Sequence, residues 1–258
     1  MTQLKQTFSW WSFRRDDIEA AAMLSAAAAI GYAGVEMPPE EIWTVARDNG
    51  LRIATIVGHQ SLSDGLNARA NHDRIERELR RNIEKAVAND IPNLIVFSGN
   101  RRGLSDDVGA AATADCLRRV AGDAEAAGVT LVLELLNSKV DHADYQADRT
   151  DWGVAICESV GSPRVKLLYD IYHMQIMEGD VIRTIRNHHD AIGHYHTAGV
   201  PGRADLDDQQ ELYYPAIARA ILETGYEGFF GHEFRPKGDP IAALEAAYGL
   251  CAGKEGVA

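Results

Sequence analysis

The chain has 258 residues, 46% of them hydrophobic, and a formal net charge of −12 at pH 7. That length is close to the ~250 residues of a single β/α barrel and can bury a sizeable core, while the acidic balance opposes a nucleic-acid partner, which needs a concentrated basic face. Cys116, Cys157 and Cys251 are odd in number and widely spaced, which speaks against a disulfide framework or a cysteine metal cluster and for packing residues in a reducing compartment.

Strand-like runs alternate with helical periodicity along the whole chain. The first strand is expected near residues 5–9, followed by Trp10, Trp11 and Phe13, aromatics that either wall a pocket or join the core. The second, near 34–37, carries Glu36 at its end, placed to touch a ligand or to pair with a neighbouring base. The third, near 52–57, is followed by His59. Ile75, Leu79, Ile83 and Val87 then recur every fourth residue among Arg and Glu, which predicts a helix with one buried face. His72, His142, His188 and His189 lie in polar contexts and are expected to be solvated.

Further strands are expected near 94–98, 129–135, 165–170, 191–196 and 228–233. The last four carry Glu134, Asp170, His196 and Glu233 at their C-terminal ends, and His173 lies three residues beyond Asp170. Residues 198–211 form a polar loop long enough to cover a site, with Arg203 after the Pro201-Gly202 turn. Pro215 suits the first turn of the next helix, whose apolar face includes Ile217 and Ile221. Gly31, Gly50, Gly128 and Gly225 each separate a helical segment from a strand, as residues that end helices in the left-handed conformation do. No cationic leader with an apolar run opens the sequence, and no run approaches the ~20 apolar residues of a membrane span, so a cytoplasmic protein without a membrane partner is expected.

Eight strands alternating with helices suit either a closed barrel or an open doubly wound sheet. Closure is favoured because no Gly-x-Gly-x-x-Gly follows the first strand, and because polar residues gather at many strand ends instead of at one crevice. The expected fold is a single (β/α)8 TIM barrel over residues 1–258. In such a barrel Glu134, Asp170, His196 and Glu233 converge at one mouth. Two carboxylates ~4 Å apart repel by about 4 kcal/mol at an effective dielectric near 20, so three together call for a cation. Three carboxylates and one imidazole suit one divalent ion, Mn²⁺, Mg²⁺ or Co²⁺, with open positions. Taken singly, Glu134 could instead pair with Lys166, and Asp170 could simply cap a helix.

The segment Val165-Lys-Leu-Leu-Tyr-Asp-Ile-Tyr-His-Met-Gln-Ile-Met-Glu-Gly-Asp180 resembles the signature of the hydroxypyruvate isomerases, within the xylose-isomerase-like TIM barrels. Glu134-Leu-Leu-Asn137, Ile192-Gly-His-Tyr-His-Thr-Ala-Gly-Val-Pro-Gly-Arg203 and His232-Glu-Phe-Arg-Pro236 extend the resemblance, while the first hundred residues match mainly in layout. The resemblance implies a divalent metal held by Glu134, Asp170, His196 and Glu233, with Glu134 and Glu233 doubling as the acid–base pair. It also implies substrate contacts from His173 and Arg203, to which position at strand ends adds His59 and Glu36. One departure is His196, where hydroxypyruvate isomerases carry Gln and keto-sugar 3-epimerases carry His.

Two carboxylates astride a metal suit proton transfer next to a carbonyl. The leading expectation is isomerisation of a small hydroxy-keto acid, hydroxypyruvate to tartronate semialdehyde, with Arg203 taking the substrate's acidic end. A keto-sugar 3-epimerase or a 2-oxo-tetronate isomerase is the alternative. A non-catalytic sugar-acid-binding barrel and an endonuclease IV-like metal enzyme are further ones. Family members often form homo-oligomers, but no stretch identifies a contact surface.

Overall fold

Eight short runs, mostly apolar and closed to water on both faces, form the strands β1 Lys5–Ser9, β2 Gly34–Glu36, β3 Arg52–Val57, β4 Asn93–Val96, β5 Thr130–Glu134, β6 Val165–Asp170, β7 Ile192–Thr197 and β8 Phe229–His232. The computed structural model, which describes residues 3–252, orders them β1 through β8 in one closed barrel. Pairing is parallel, with β1 beside both β2 and β8. The open-sheet alternative is thereby excluded.

The described residues group into two compact units. One comprises the chain up to Ala54, Asp180–His189 and the chain from Tyr195 onward. It holds the β8–β1–β2 ladder, in which Phe8 pairs with Val35 on one side and His232 on the other. Helices Ala20–Ile30 and Pro240–Cys251 belong to it, and Tyr32 donates its hydroxyl to Leu244 O at 2.9 Å. The other unit comprises Thr55–Gly179 and Asp190–His194, with the continuous ladder from β3 to β6 and the helices His72–Ala88, Asp106–Ala127 and Thr150–Val160.

Helix boundaries follow the expected punctuation. Gly31 and Gly128 are left-handed caps with φ of 119° and 69°, a conformation that would strain a residue bearing Cβ. Helix His72–Ala88 buries Ile75, Leu79 and Ile83, but Val87 is 56% exposed. Each four-residue step overshoots a helical turn by about 40°, so three steps carry Val87 off the buried stripe, and Ala86 takes its place. His72 also departs from expectation: it is buried in the first helical turn, with Nε2 2.9 Å from Leu66 O, and burial lowers its pKa.

Cys116, Cys157 and Cys251 are buried free thiols. Burial pushes the first two up to about 12, so they pack as small apolar groups. Among the described residues no helix is long and apolar enough to cross a membrane.

Candidate active site

In the first unit, His196 lies between two carboxylates. Its Nε2 is 2.9 Å from Glu36 Oε2 and its Nδ1 is 3.4 Å from Glu233 Oε2. All three residues are buried. Glu36 ends β2, His196 is the penultimate residue of β7, and Glu233 follows β8 directly instead of lying within it. Thr7 donates its hydroxyl to Glu36 Oε1. Glu233 Oε1 accepts from Ser9 Oγ at 3.2 Å and from Trp11 Nε1 at 3.1 Å, while Oε2 accepts from Arg203 Nη2. Burial alone would raise the Glu233 carboxyl, but His196 and Arg203 outweigh it and hold the group below the ordinary carboxylate range.

Arg203 reaches this position because its loop is pinned: Arg235 N donates to Arg203 O at 2.7 Å, and Gly199 N donates to Ala204 O at 2.8 Å. Its guanidinium stands 5.3 Å from the Trp11 ring centroid, within cation–π range. Trp11 remains 40% exposed, whereas Phe13 is core. His232, next to Glu233, faces the helices. Its ring meets Tyr32 edge-on, its nitrogens contact Thr197 and Gln6 at 2.8 Å, and burial lowers its pKa to about 3.

Gly231 is the close-approach glycine of this arrangement. A Cβ there would strike the Glu36 carboxylate and come within 2.9 Å of His196 Cδ2. Gly231→Ala is therefore expected to cost about 1–3 kcal/mol through overpacking. Chemical denaturation would read this as a lower midpoint at unchanged slope, and an unshifted midpoint would contradict the packing described.

In the second unit, Glu134 ends β5 and Asp170 ends β6, both buried. The Glu134 carbonyl accepts from the Tyr145 hydroxyl at 3.0 Å, and Lys166, the candidate partner for its side chain, instead donates to Asp190 O. Asp170 does cap the following helix: Oδ1 accepts from His173 N at 3.1 Å, and Oδ2 lies 3.7 Å from His173 Nε2. Capping uses one oxygen, so the two roles considered for Asp170 are compatible. His173 Nδ1 accepts from Asn137 N at 3.1 Å and faces Asn137 Nδ2 at 2.7 Å. A nitrogen accepting from a backbone N–H carries the lone pair, which puts the proton of a neutral ring on Nε2. Asn137 is itself held by Asp141, whose Oδ2 also accepts from Tyr172. His59 is buried with both nitrogens engaged by backbone, Nε2 by Phe97 N at 3.0 Å and Nδ1 by Gln60 O at 3.1 Å.

Glu134, Asp170, His196 and Glu233 each offer one ligand atom, and the four atoms lie within 4.8 Å of one another, a spacing that could hold a metal ion. Two ionised carboxylates at that spacing repel by ~3.5 kcal/mol at an effective dielectric near 20. A neutral His196 has one N–H for two facing carboxylates, and on the Glu233 side Arg203 also supplies positive charge. The donor set thus fits a divalent ion accepting oxygen and imidazole nitrogen.

Parallel β/α barrels carry their chemistry at the C-terminal strand ends, where this chain places its buried acid–imidazole group. The chain belongs to the xylose isomerase-like TIM-barrel family, whose profile matches residues 24–250. A Homo sapiens protein provisionally named hydroxypyruvate isomerase is 30% identical over 239 residues, 86% of each chain. A 2-oxo-tetronate isomerase of Cupriavidus necator is 40% identical over 124 residues, 48% of this chain and 47% of that one. A crystal structure titled AP endonuclease, family 2, from Brucella melitensis superposes with a TM-score of 0.81 at 25% identity, covering 93% of this chain and 97% of that one.

Several residues of these contacts carry little signal in the sequence. Ser9 ends a strand as Glu36, Glu134 and Asp170 do, and that position is its available signal. Thr7 looks like any strand-forming threonine, and Asp141 like any loop acid. Asn137 lies inside a motif that marks the family, without a visible function.

Proposed function

We propose that this chain is a divalent-metal-dependent isomerase of small 2-oxo-3-hydroxy acids, with hydroxypyruvate to tartronate semialdehyde as the leading reaction. The observation carrying the reading is the buried group Glu134, Asp170, His196 and Glu233 at the ends of four successive strands. A bound divalent ion would supply Lewis-acid polarisation of adjacent substrate oxygens. Of the two glutamates, one takes the proton from the hydroxyl-bearing carbon, leaving an enediolate, and a proton returns to the former carbonyl carbon. The hydroxyl proton moves to the other oxygen, so the atoms balance with no redox partner.

His173, with its proton on Nε2, donates to a substrate oxygen. Arg203 meets the substrate carboxylate, and Trp11 walls that side. Removing that charge match by Arg203→Ala is expected to raise KM for hydroxypyruvate at least about tenfold. A KM unchanged in initial-rate measurements would remove Arg203 from the binding set. His59 and Glu36 take bracing roles instead of substrate contacts, because backbone groups occupy both nitrogens of His59 and Glu36 is engaged by His196 and Thr7.

A second reading, 2-oxo-tetronate isomerisation, is favoured by the 40% identity to the Cupriavidus necator enzyme over about half of the chain. The bond changes are the same, with a hydroxymethyl group replacing one hydrogen on the hydroxyl-bearing carbon. The net charge of −12 weighs against DNA as a substrate. Incubation of Mn²⁺-loaded enzyme with hydroxypyruvate, 2-oxo-tetronate and free ketoses in deuterated water tests the proposal. Carbon-bound deuterium in an isomerised keto acid is expected. Deuterium in ketoses alone would make the chain an epimerase, and none in any substrate would remove the proposal.

A further inference from the structure

The metal reading leaves unexplained why an ionisable residue from β2, Glu36, is fully buried against a ligand from β7. Glu36 and His196 are both 0% exposed. Thr7 donates into Glu36 Oε1, and His196 Nε2 stands 2.9 Å from Oε2. An ionised carboxylate only accepts, so the His196–Glu36 contact is a hydrogen bond when the proton sits on Nε2. With the proton there, the Nδ1 lone pair is left on the side of Glu233, 3.4 Å away. That is the orientation a histidine ligand needs. Gly231 completes the arrangement, since a Cβ at that position would occupy the space of the Glu36 carboxylate.

We propose that Glu36 is a positioning residue of the metal centre: it keeps a proton on His196 Nε2, fixes the ring and so presents Nδ1 to the ion. This rests on the metal reading above. Ligating histidines are commonly oriented and made more basic by an outer carboxylate, and losing that partner typically weakens metal binding by 10–100-fold. Thr7 then acts one step further out, holding Glu36.

Titration calorimetry of the whole chain with Mn²⁺, with a thermal melt to confirm folding, tests the assignment. Native protein is expected to bind one ion. Glu36→Ala should weaken it by about 10- to 100-fold, and Glu36→Gln, which keeps an acceptor oxygen opposite Nε2, by less. An unchanged dissociation constant in Glu36→Ala overturns the proposal. So does a native stoichiometry of two ions that falls to one, because Glu36 would then be a ligand. If native protein binds no Mn²⁺, the metal reading fails on its own and takes the positioning of Nδ1 with it. The pairing is read separately from ¹⁵N-histidine spectra of the ion-free protein. A proton on His196 Nε2 that is lost in Glu36→Ala supports it, and a bare Nε2 in the native protein overturns it.

Discussion

Glu134→Gln is expected to lower kcat for hydroxypyruvate by about 10³-fold, within the 10²–10⁴ that a positioned acid or base contributes, and Glu233→Gln to do the same. Glutamine keeps the size of the side chain and one oxygen able to coordinate, but it cannot accept and return a proton. Both residues are buried, Glu134 at the end of β5 and Glu233 directly after β8. Their environments differ, however. Glu233 is wrapped by Ser9, Trp11 and Arg203, so losing its charge leaves Arg203 without its carboxylate partner there. Glu233→Gln should therefore also raise KM, whereas Glu134→Gln should act mainly on kcat. Steady-state kinetics at saturating Mn²⁺, with metal content measured on the same samples, separates lost proton transfer from lost metal. The double variant should be little worse than either single one, because residues acting as a unit are not additive. Retention of more than a tenth of native kcat by either variant would contradict an acid–base role for that residue.

Stripping the ion should have the other large effect. Dialysis against a chelator is expected to abolish turnover, by at least about 10³-fold, and added Mn²⁺ to restore it, since Lewis-acid stabilisation of developing charge is worth several kcal/mol. Stability should fall with it. An ion at one hundred times its dissociation constant stabilises by about 2.7 kcal/mol, which for a domain of this size is ~5–10 °C in Tm. The physical source is the crowding of Glu134, Asp170 and Glu233, with ligand atoms within 4.8 Å of one another and of a His196 atom. Unchanged turnover in protein shown to be free of metal would end the metal-dependent account.

The strands were legible in the sequence because most are short, apolar on both faces and separated by segments of helical periodicity, several of which end in glycine. All eight fall within a residue or two of the expected positions, and the four proposed ligands sit at or beside the ends of β5 to β8. What was hidden depends on which strands become neighbours. Ser9 and Trp11 reach Glu233 because β1 lies beside β8, with Phe8 opposite His232. Nothing local in Lys5–Ser9 signals a partner more than two hundred positions away. The pairing of Glu36 with His196 has the same origin, since it depends on β2 and β7 flanking β1 and β8 in the closed order. His72 and Val87 fail for a local reason: strict four-residue spacing drifts around a helix, and a polar neighbourhood in sequence does not prevent burial of a ring whose partner, Leu66 O, lies six residues upstream. The Asn137–Asp141 support of His173 depends on loop geometry that residue spacing does not encode.

A crystal grown with Mn²⁺, with diffraction recorded at the manganese absorption edge, tests the shared ion most directly. One anomalous peak per chain, bonded to a carboxylate oxygen of Glu134, Asp170 and Glu233 and to Nδ1 of His196, is the expected result. A peak elsewhere, or no peak while these carboxylates pair with protein cations alone, would contradict it.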